Sequence, residues 1–275
     1  MKESRYDNDE CWNVARMKQG IWLLPTKRSI DKLRGFLAAC AKAGTVTPGL
    51  ILVQKQELAE LWDGYQTLTL PPGWALYPTE ADGLGDKVRE LWPAVKSLDW
   101  CGLVCDDLLP QTYLWDTLLL EMMHGKNMIS CDDGQYAPHR IAGAVIWGGD
   151  LMRAVGYMFP PNFWHTYVDN VWEDLGRLTG CWDVRMDVLV THDHGFLNDV
   201  EKDRTHEASY SHNSDDERAY CEWRLVEFPN SIQRIYAMQG LKPLPAQKTR
   251  MGIFDRIKSK FYNPTVRPIQ KGASL

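Results

Sequence analysis

Trp100-Cys101-Gly102-Leu103-Val104-Cys105-Asp106-Asp107-Leu108-Leu109-Pro110 is the stretch that decides how this chain folds. An apolar run stops at two adjacent carboxylates, and a proline follows. In an open α/β sheet the carboxyl ends of the strands open into the ligand crevice. Two acids placed there repel each other unless a cation sits beside them. A divalent metal carrying phosphates meets that need. The competing reading is local: Asp106 or Asp107 caps a helix beginning near Thr112.

The flanking sequence repeats an alternation of strand and helix. Gly20 to Leu24 reads as a buried strand stopped by Pro25. Ser29 then opens a helix with Leu33, Phe36, Leu37 and Cys40 on one face, and Leu50 to Val53 is the next strand. Strand, helix, strand favours a parallel sheet with right-handed crossovers. Trp74 to Tyr77, Trp100 to Cys105, Met128 to Cys131, Ala142 to Trp147 and Asp187 to Val190 complete the predicted strands. Helices are predicted after Gly85, over Leu114–Met123, from Leu151 to Val155 and over Asp169–Leu178. The expected fold is α/β: an open, mostly parallel twisted sheet flanked by helices, with a C-terminal helical extension. Residues 1–197 form the sheet domain. Residues 198–217, polar and charged, read as a mobile lid or loop. Residues 218–275 form the helical extension, with a basic amphipathic tail helix over 250–261 for docking on the domain or contacting a partner.

Composition narrows the class. A net charge of -5 and 24% charged residues give no electrostatic footprint of a whole-protein nucleic-acid binder. Seven cysteines with no C-x-x-C pair indicate neither a disulfide framework nor a zinc knuckle. The N-terminus lacks an apolar signal core, and no run reaches membrane-spanning length, so a cytoplasmic protein is expected. Twelve tryptophans serve core packing or stacking on sugars and bases.

Polar clusters fall at the predicted strand ends and loops: Thr26-Lys27-Arg28, Asp86-Lys87, Asp106-Asp107, Asp132-Asp133-Gly134 and His192-Asp193-His194. Together they offer cations for phosphate, carboxylates for a metal and an imidazole for its remaining position. His192-Asp193-His194 also resembles the opening of the metallo-β-lactamase motif. Phe196 and Leu197 stand where that motif places its acid and third histidine, which leaves a metallo-hydrolase using His192 and His194 as a remote alternative.

The order of these motifs resembles the nucleotide-sugar glycosyltransferases of the GT-A fold, family 2-like, and particularly small phage-encoded ones. Pro25-Thr26-Lys27-Arg28 is similar to their nucleotide-binding opening. Gly102 to Thr112, followed by Trp115-Asp116, resembles the metal-binding D-x-D motif and its helix, with Cys105 where the first acid usually stands. Gly148-Gly149-Asp150, with Arg153 and Gly156-Tyr157, is similar to the acceptor-side segment. His165 to Trp172 resembles the segment that carries the catalytic acid of inverting members. Thr191 to His194 looks like the late histidine motif that completes the metal site.

The resemblance implies an inverting, metal-dependent enzyme that moves a hexosyl or pentosyl group from a nucleoside-diphosphate sugar, such as a UDP-sugar, to a hydroxyl. Asp169 would be the base. Pro25, Thr26, Lys27, Arg28, Asp86, Lys87, Asp106 and Asp107 would face the donor nucleotide. Asp107 and His194, with Asp106 and His192 as further donors, would hold Mn2+ or Mg2+. Asp132, Asp133, Trp147, Gly149, Asp150 and His165 would face the sugar or acceptor, with Trp164 a second stacking aromatic. A modified DNA base, a virion protein and a surface glycan are the acceptors that a phage context would offer. The alternative from another class is a catalytically inactive nucleotide- or glycan-binding module of the same fold.

Overall fold

The computed structural model describes residues 19–27, 30–141, 143–192 and 204–242. Their centre is an eight-stranded sheet in the order β3-β2-β1-β4-β7-β6-β8-β5. The strands are β1 (Gly20–Pro25), β2 (Gly49–Gln54), β3 (Trp74–Thr79), β4 (Trp100–Leu103), β5 (Leu108–Pro110), β6 (Met128–Asp132), β7 (Val145–Gly148) and β8 (Trp182–His192). The first half is parallel: β1 pairs with β2 and β4, and β2 with β3. In the second half β7 runs antiparallel to both β4 and β6, β8 runs parallel to β6, and β5 antiparallel to β8. The sheet is therefore open and mixed. Its two rims are β3, which contains Pro78, and the three-residue β5, which ends in Pro110.

Helices cover both faces, as the alternation in the strands requires. Leu23, Cys101 and Leu103 point to one face; Trp22, Leu24, Trp100 and Val104 point to the other. The first face packs on α4 (Leu84–Val95), α6 (Gly149–Val155), α7 (Val168–Thr179) and α8 (Arg204–Gln239). The second packs on α1 (Ile30–Lys42), α5 (Trp115–Glu121) and α3 (Trp62–Gln66), with the short α2 (Lys55–Glu60) just before α3. Gly102 is bare because Trp22 lies across it: a Cβ there would sit 2.2 Å from the indole.

The C-terminal helix shares this core. Ala219, Tyr220, Trp223, Phe228, Ile232 and Ile235 join the first-face cluster. Arg234 caps α6 by donating to the carbonyls of Ala154 and Val155, each at 2.8 Å, where a cation suits the negative end of a helix. Helix α8 begins at Arg204, inside the 198–217 stretch expected to be a loop. The charge run read as solvated follows a helical period there: Asp216, Ala219, Tyr220 and Trp223 are all buried. The tail at 250–261 lies outside the described residues. Among the described residues no helix is long and apolar enough to cross a membrane.

The antiparallel β7 separates two ends of the molecule. Strands β1 to β4, β6 and β8 end on one edge, the carboxyl edge. Strand β7 ends on the other: Gly148 faces Trp100, the first residue of β4. At that amino edge three indole N–H groups converge on one loop. Trp22 donates to Thr47 Oγ1 at 2.9 Å, Trp74 to the Thr47 carbonyl at 2.9 Å, and Trp115 to Thr45 Oγ1 at 2.8 Å. Fully buried Asp116 closes the knot. Its Oδ2 accepts from Val46 N at 2.9 Å, Thr47 N at 2.8 Å and Thr47 Oγ1 at 2.7 Å.

Candidate active site

The carboxyl edge gathers most of the predicted polar clusters into one connected network. Thr26, one residue past β1, donates its hydroxyl to Asp106 Oδ2 at 2.5 Å and so ties the end of β1 to the end of β4. Lys27 reaches Asp82 at 2.8 Å and lies 5.0 Å over the ring of Trp164. Asp106 and Asp107 precede β5, while α5 starts at Trp115 behind Leu114 with no side-chain cap, so neither acid is a helix cap. The register of β5 on β8 sets Leu108 opposite His192. It leaves Asp107 Oδ2 3.2 Å from His192 Nε2.

Asp169 belongs to the same centre. It lies in the first turn of α7, whose N-cap is Tyr167 without a side-chain cap bond, so it is not that helix's cap either. Its proximity registers at Cys105, whose thiol is pushed well above its usual pKa by burial first, then by Asp107, Asp106 and Asp169. Asp106 and Asp107 follow β4, and His192 lies beside Asp107. Asp106, Asp107 and Asp169 are each half-buried and reachable.

Lys87 takes a different part from the one expected. It is fully buried and donates to the Thr26 carbonyl at 2.6 Å. Burial lowers its pKa, and the nearby acids Glu57, Asp82 and Asp106 act against that. It holds the loop after β1 from beneath and does not face a ligand. Asp86 is exposed and pairs with Arg89. Pro25 ends β1; Arg28 and His194 lie outside the described residues. His165 sits on the rim, half-buried, edge-on to Trp164 at 6.0 Å.

Asp132 ends β6 on the same edge and Asp133 follows it, and both brace a turn. Asp132 Oδ1 accepts from Gly134 N at 2.8 Å. Asp133 Oδ1 accepts from the amides of Gln135, Tyr136 and Ala137 at 2.8 to 3.1 Å. Trp147, Gly149 and Asp150 are not at the site. Trp147 is fully buried and meets Trp172 edge-on at 6.2 Å, so it has no face for a sugar. Gly149 N bonds the Asp99 carbonyl at 2.7 Å, and Asp150 pairs with Arg153 at 2.7 Å. The cause is strand direction, because β7 carries these residues to the amino edge.

Side chains on α8 complete the edge, and the sequence reading missed them. Asp216, fully buried, accepts from Trp164 N at 2.6 Å, His165 N at 2.9 Å, Thr166 N at 2.7 Å and Thr166 Oγ1 at 2.9 Å. His212 stacks on Trp164 with centroids 4.5 Å apart. Phase was the available signal: Asp216 is three, four and seven residues before Ala219, Tyr220 and Trp223.

The donor set suits a hard divalent cation. Mg2+ and Mn2+ take carboxylate oxygens, and Mg2+ commonly uses one or two protein carboxylates with substrate phosphates supplying the rest. Asp107 and His192, 3.2 Å apart, are a pair of such donors, with Asp106 next to Asp107 in the chain. Among the described residues no group of three or more His, Cys, Asp or Glu is arranged as a ready-made metal cage.

No family model matches the chain, and no curated protein matches it. Among solved structures it is similar to the mannosyltransferase PcManGT from Pyrobaculum calidifontis, solved with GDP-Man and Mn2+. The identity is 10% over 90% of this chain and 81% of that one, with a TM-score of 0.48. It is also similar to glucosyl-3-phosphoglycerate synthase from Mycobacterium tuberculosis, solved with Mn2+, UDP and glucosyl-3-phosphoglycerate. That identity is 10% over 88% and 87% of the two chains, with a TM-score of 0.47. S. aureus TarS matches at 11% over 83% of this chain and 50% of that one, with a TM-score of 0.46.

Proposed function

We propose that this chain is an inverting, metal-dependent glycosyltransferase that takes a sugar from a nucleoside diphosphate and gives it to a hydroxyl. One observation carries the reading: the Asp107–His192 pair at the carboxyl edge, 3.2 Å apart, beside Asp106, which is bonded to the β1 loop. Asp107 and His192 would hold Mn2+ or Mg2+, with Asp106 beside them; His194 is proposed as a further donor. A cation bound there would neutralise the leaving diphosphate. The loop Pro25-Thr26-Lys27 borders the donor nucleotide, and Lys27 supplies a cation for phosphate. Asp169 accepts the proton of the attacking hydroxyl as the new C–O bond forms and the bond to the diphosphate breaks. Trp164 and His165 form the rim on which the acceptor would lie. The acidic balance of the chain disfavours tight binding of duplex DNA, so a glycan or protein hydroxyl is the acceptor to try first.

The test is thermal unfolding with a panel of UDP- and GDP-sugars, each with and without Mn2+ or Mg2+. A ligand that binds only the folded state raises the melting temperature. Metal-dependent stabilisation by one donor, lost in Asp107→Ala and in His192→Ala, supports the assignment. Stabilisation that persists in both variants refutes it. Donor binding without turnover in the presence of sugar and protein acceptors would make the chain a binding module.

A further inference from the structure

Helix α7, which carries Asp169, starts from an unusual position. Tyr167 at its N-cap has φ 65°, in the left-handed region that non-glycine residues rarely occupy. Its side chain makes no cap bond. Such a conformation persists only when its surroundings over-determine it, and it clusters at functional sites. Here the surroundings come largely from α8. Asp216 takes all three amides of Trp164, His165 and Thr166 and the Thr166 hydroxyl. Tyr220, one turn further along α8, stacks on the Tyr167 ring at 5.4 Å. From the other side Gly85 N donates to the Trp164 carbonyl at 2.9 Å, and Arg89 holds the Phe163 carbonyl at 2.9 Å.

We propose that Asp216 is a positioning residue for Asp169: its carboxylate fixes the 164–167 turn and thereby sets the start of α7, whose first turn carries Asp169. This rests on the reading of Asp169 as the base. A buried carboxylate is a costly way to stabilise a surface loop, because it needs every one of its donors to offset desolvation. Its position explains the choice. Four bonds from one side chain remove the freedom of three consecutive residues, and Asp169 follows three residues after the last of them. An error of about 1 Å at a reacting group costs on the order of a hundredfold in rate.

The test uses the full chain as wild type, Asp216→Asn, Thr166→Val, Asp169→Asn and the Asp216→Asn/Asp169→Asn double variant. Asparagine keeps the size of Asp216 but turns an N–H2 toward N–H donors. Amide exchange over 164–169 should quicken about tenfold or more in Asp216→Asn, since each lost bond lowers the local opening energy. Affinity for Mn2+ with UDP should stay within about twofold, because Asp216 touches none of the residues assigned to the nucleotide. Turnover, read as UDP released from UDP-glucose, should fall about tenfold to a hundredfold. It should fall no further in the Asp169→Asn background, the signature of one residue acting through another. Thr166→Val removes a single bond and repeats the test in smaller steps should Asp216→Asn fold poorly. Unchanged exchange overturns the clamp. An equal fall of turnover in both backgrounds overturns its action through Asp169. A wild-type chain that releases no UDP counts against the transferase reading, and the exchange result still decides the clamp.

Discussion

Asp116→Ala separates the stability of this fold from its chemistry. The carboxylate is fully buried on α5, and Oδ2 alone accepts three hydrogen bonds from Val46 and Thr47. Oδ1 is buried with no hydrogen-bond partner. Bonds to an ionised acceptor contribute about 1.5–3 kcal/mol each, and three bonds sharing one oxygen fall short of additive. Deleting the side chain also relieves the desolvation of a half-satisfied carboxylate, which offsets part of the loss. The net cost is about 3 kcal/mol. In a domain of this size it lowers the melting temperature by about 6–12 °C. Asp116→Asn keeps one acceptor oxygen but adds a donor among donors, so it should cost roughly half as much. Because Asp116 braces the amino edge, Mn2+-dependent nucleotide binding at 20 °C should be unchanged in both. Scanning calorimetry and titration of UDP in the presence of Mn2+ read the two quantities separately. A melting temperature within 2 °C of wild type, on the scale of about 1 kcal/mol or less, would refute the role given to the Thr45–Thr47 knot. Weakened nucleotide binding would refute the separation of the two edges.

Asp169→Asn should leave the melting temperature and nucleotide affinity near wild type and reduce transfer about a hundredfold or more, the scale of a lost general base; initial rates decide it. Trp147→Ala should cost about 3–5 kcal/mol, as a fully buried indole is removed, without altering the affinity of the molecules that remain folded; chemical denaturation reads the cost. Lys87 carries a pH signature. Burial lowers its pKa in the fold below the unfolded value of 10.5, so its contribution to stability is lost as pH falls through the folded pKa and is fully present only above 10.5. The melting temperature of wild type should therefore gain on that of Lys87→Met as pH is raised toward 10.5. A difference that does not change with pH would place the Lys87 ammonium in contact with water.

Much of this architecture is written in local patterns. The strands at Gly20, Gly49, Trp74 and Trp100, and the helix bearing Leu33, Phe36, Leu37 and Cys40, stand where alternation and helical phase put them. The acid pair was legible because an apolar run ends abruptly before it; Asp169 was legible only through the resemblance of His165 to Trp172 to the catalytic-acid segment. Strand direction was not legible. Nothing in Val145-Ile146-Trp147-Gly148 records that it runs antiparallel, and that single reversal moved Trp147, Gly149 and Asp150 to the far edge. Burial of charge was hidden as well. Lys87 and Asp216 look like solvated residues in sequence, and only their helical phase relative to apolar neighbours marks them as interior. The β5–β8 pairing that brings His192 to Asp107 joins residues over 80 positions apart, beyond the reach of any local rule.

The two rims of the sheet bear on how this protein behaves in a crowded solution. A rim strand normally presents a row of open amides and carbonyls on which another chain can add itself, the first step of β-type aggregation. Here one rim is interrupted by Pro78, and the other is three residues long and closes on Pro110. A proline lacks the N–H that an incoming strand would need, and three residues are too few to seed a ladder. Among the described residues, neither rim offers a second copy a long uninterrupted ladder. Turbidity on storage would then report unfolding of the molecule and not growth of its native sheet.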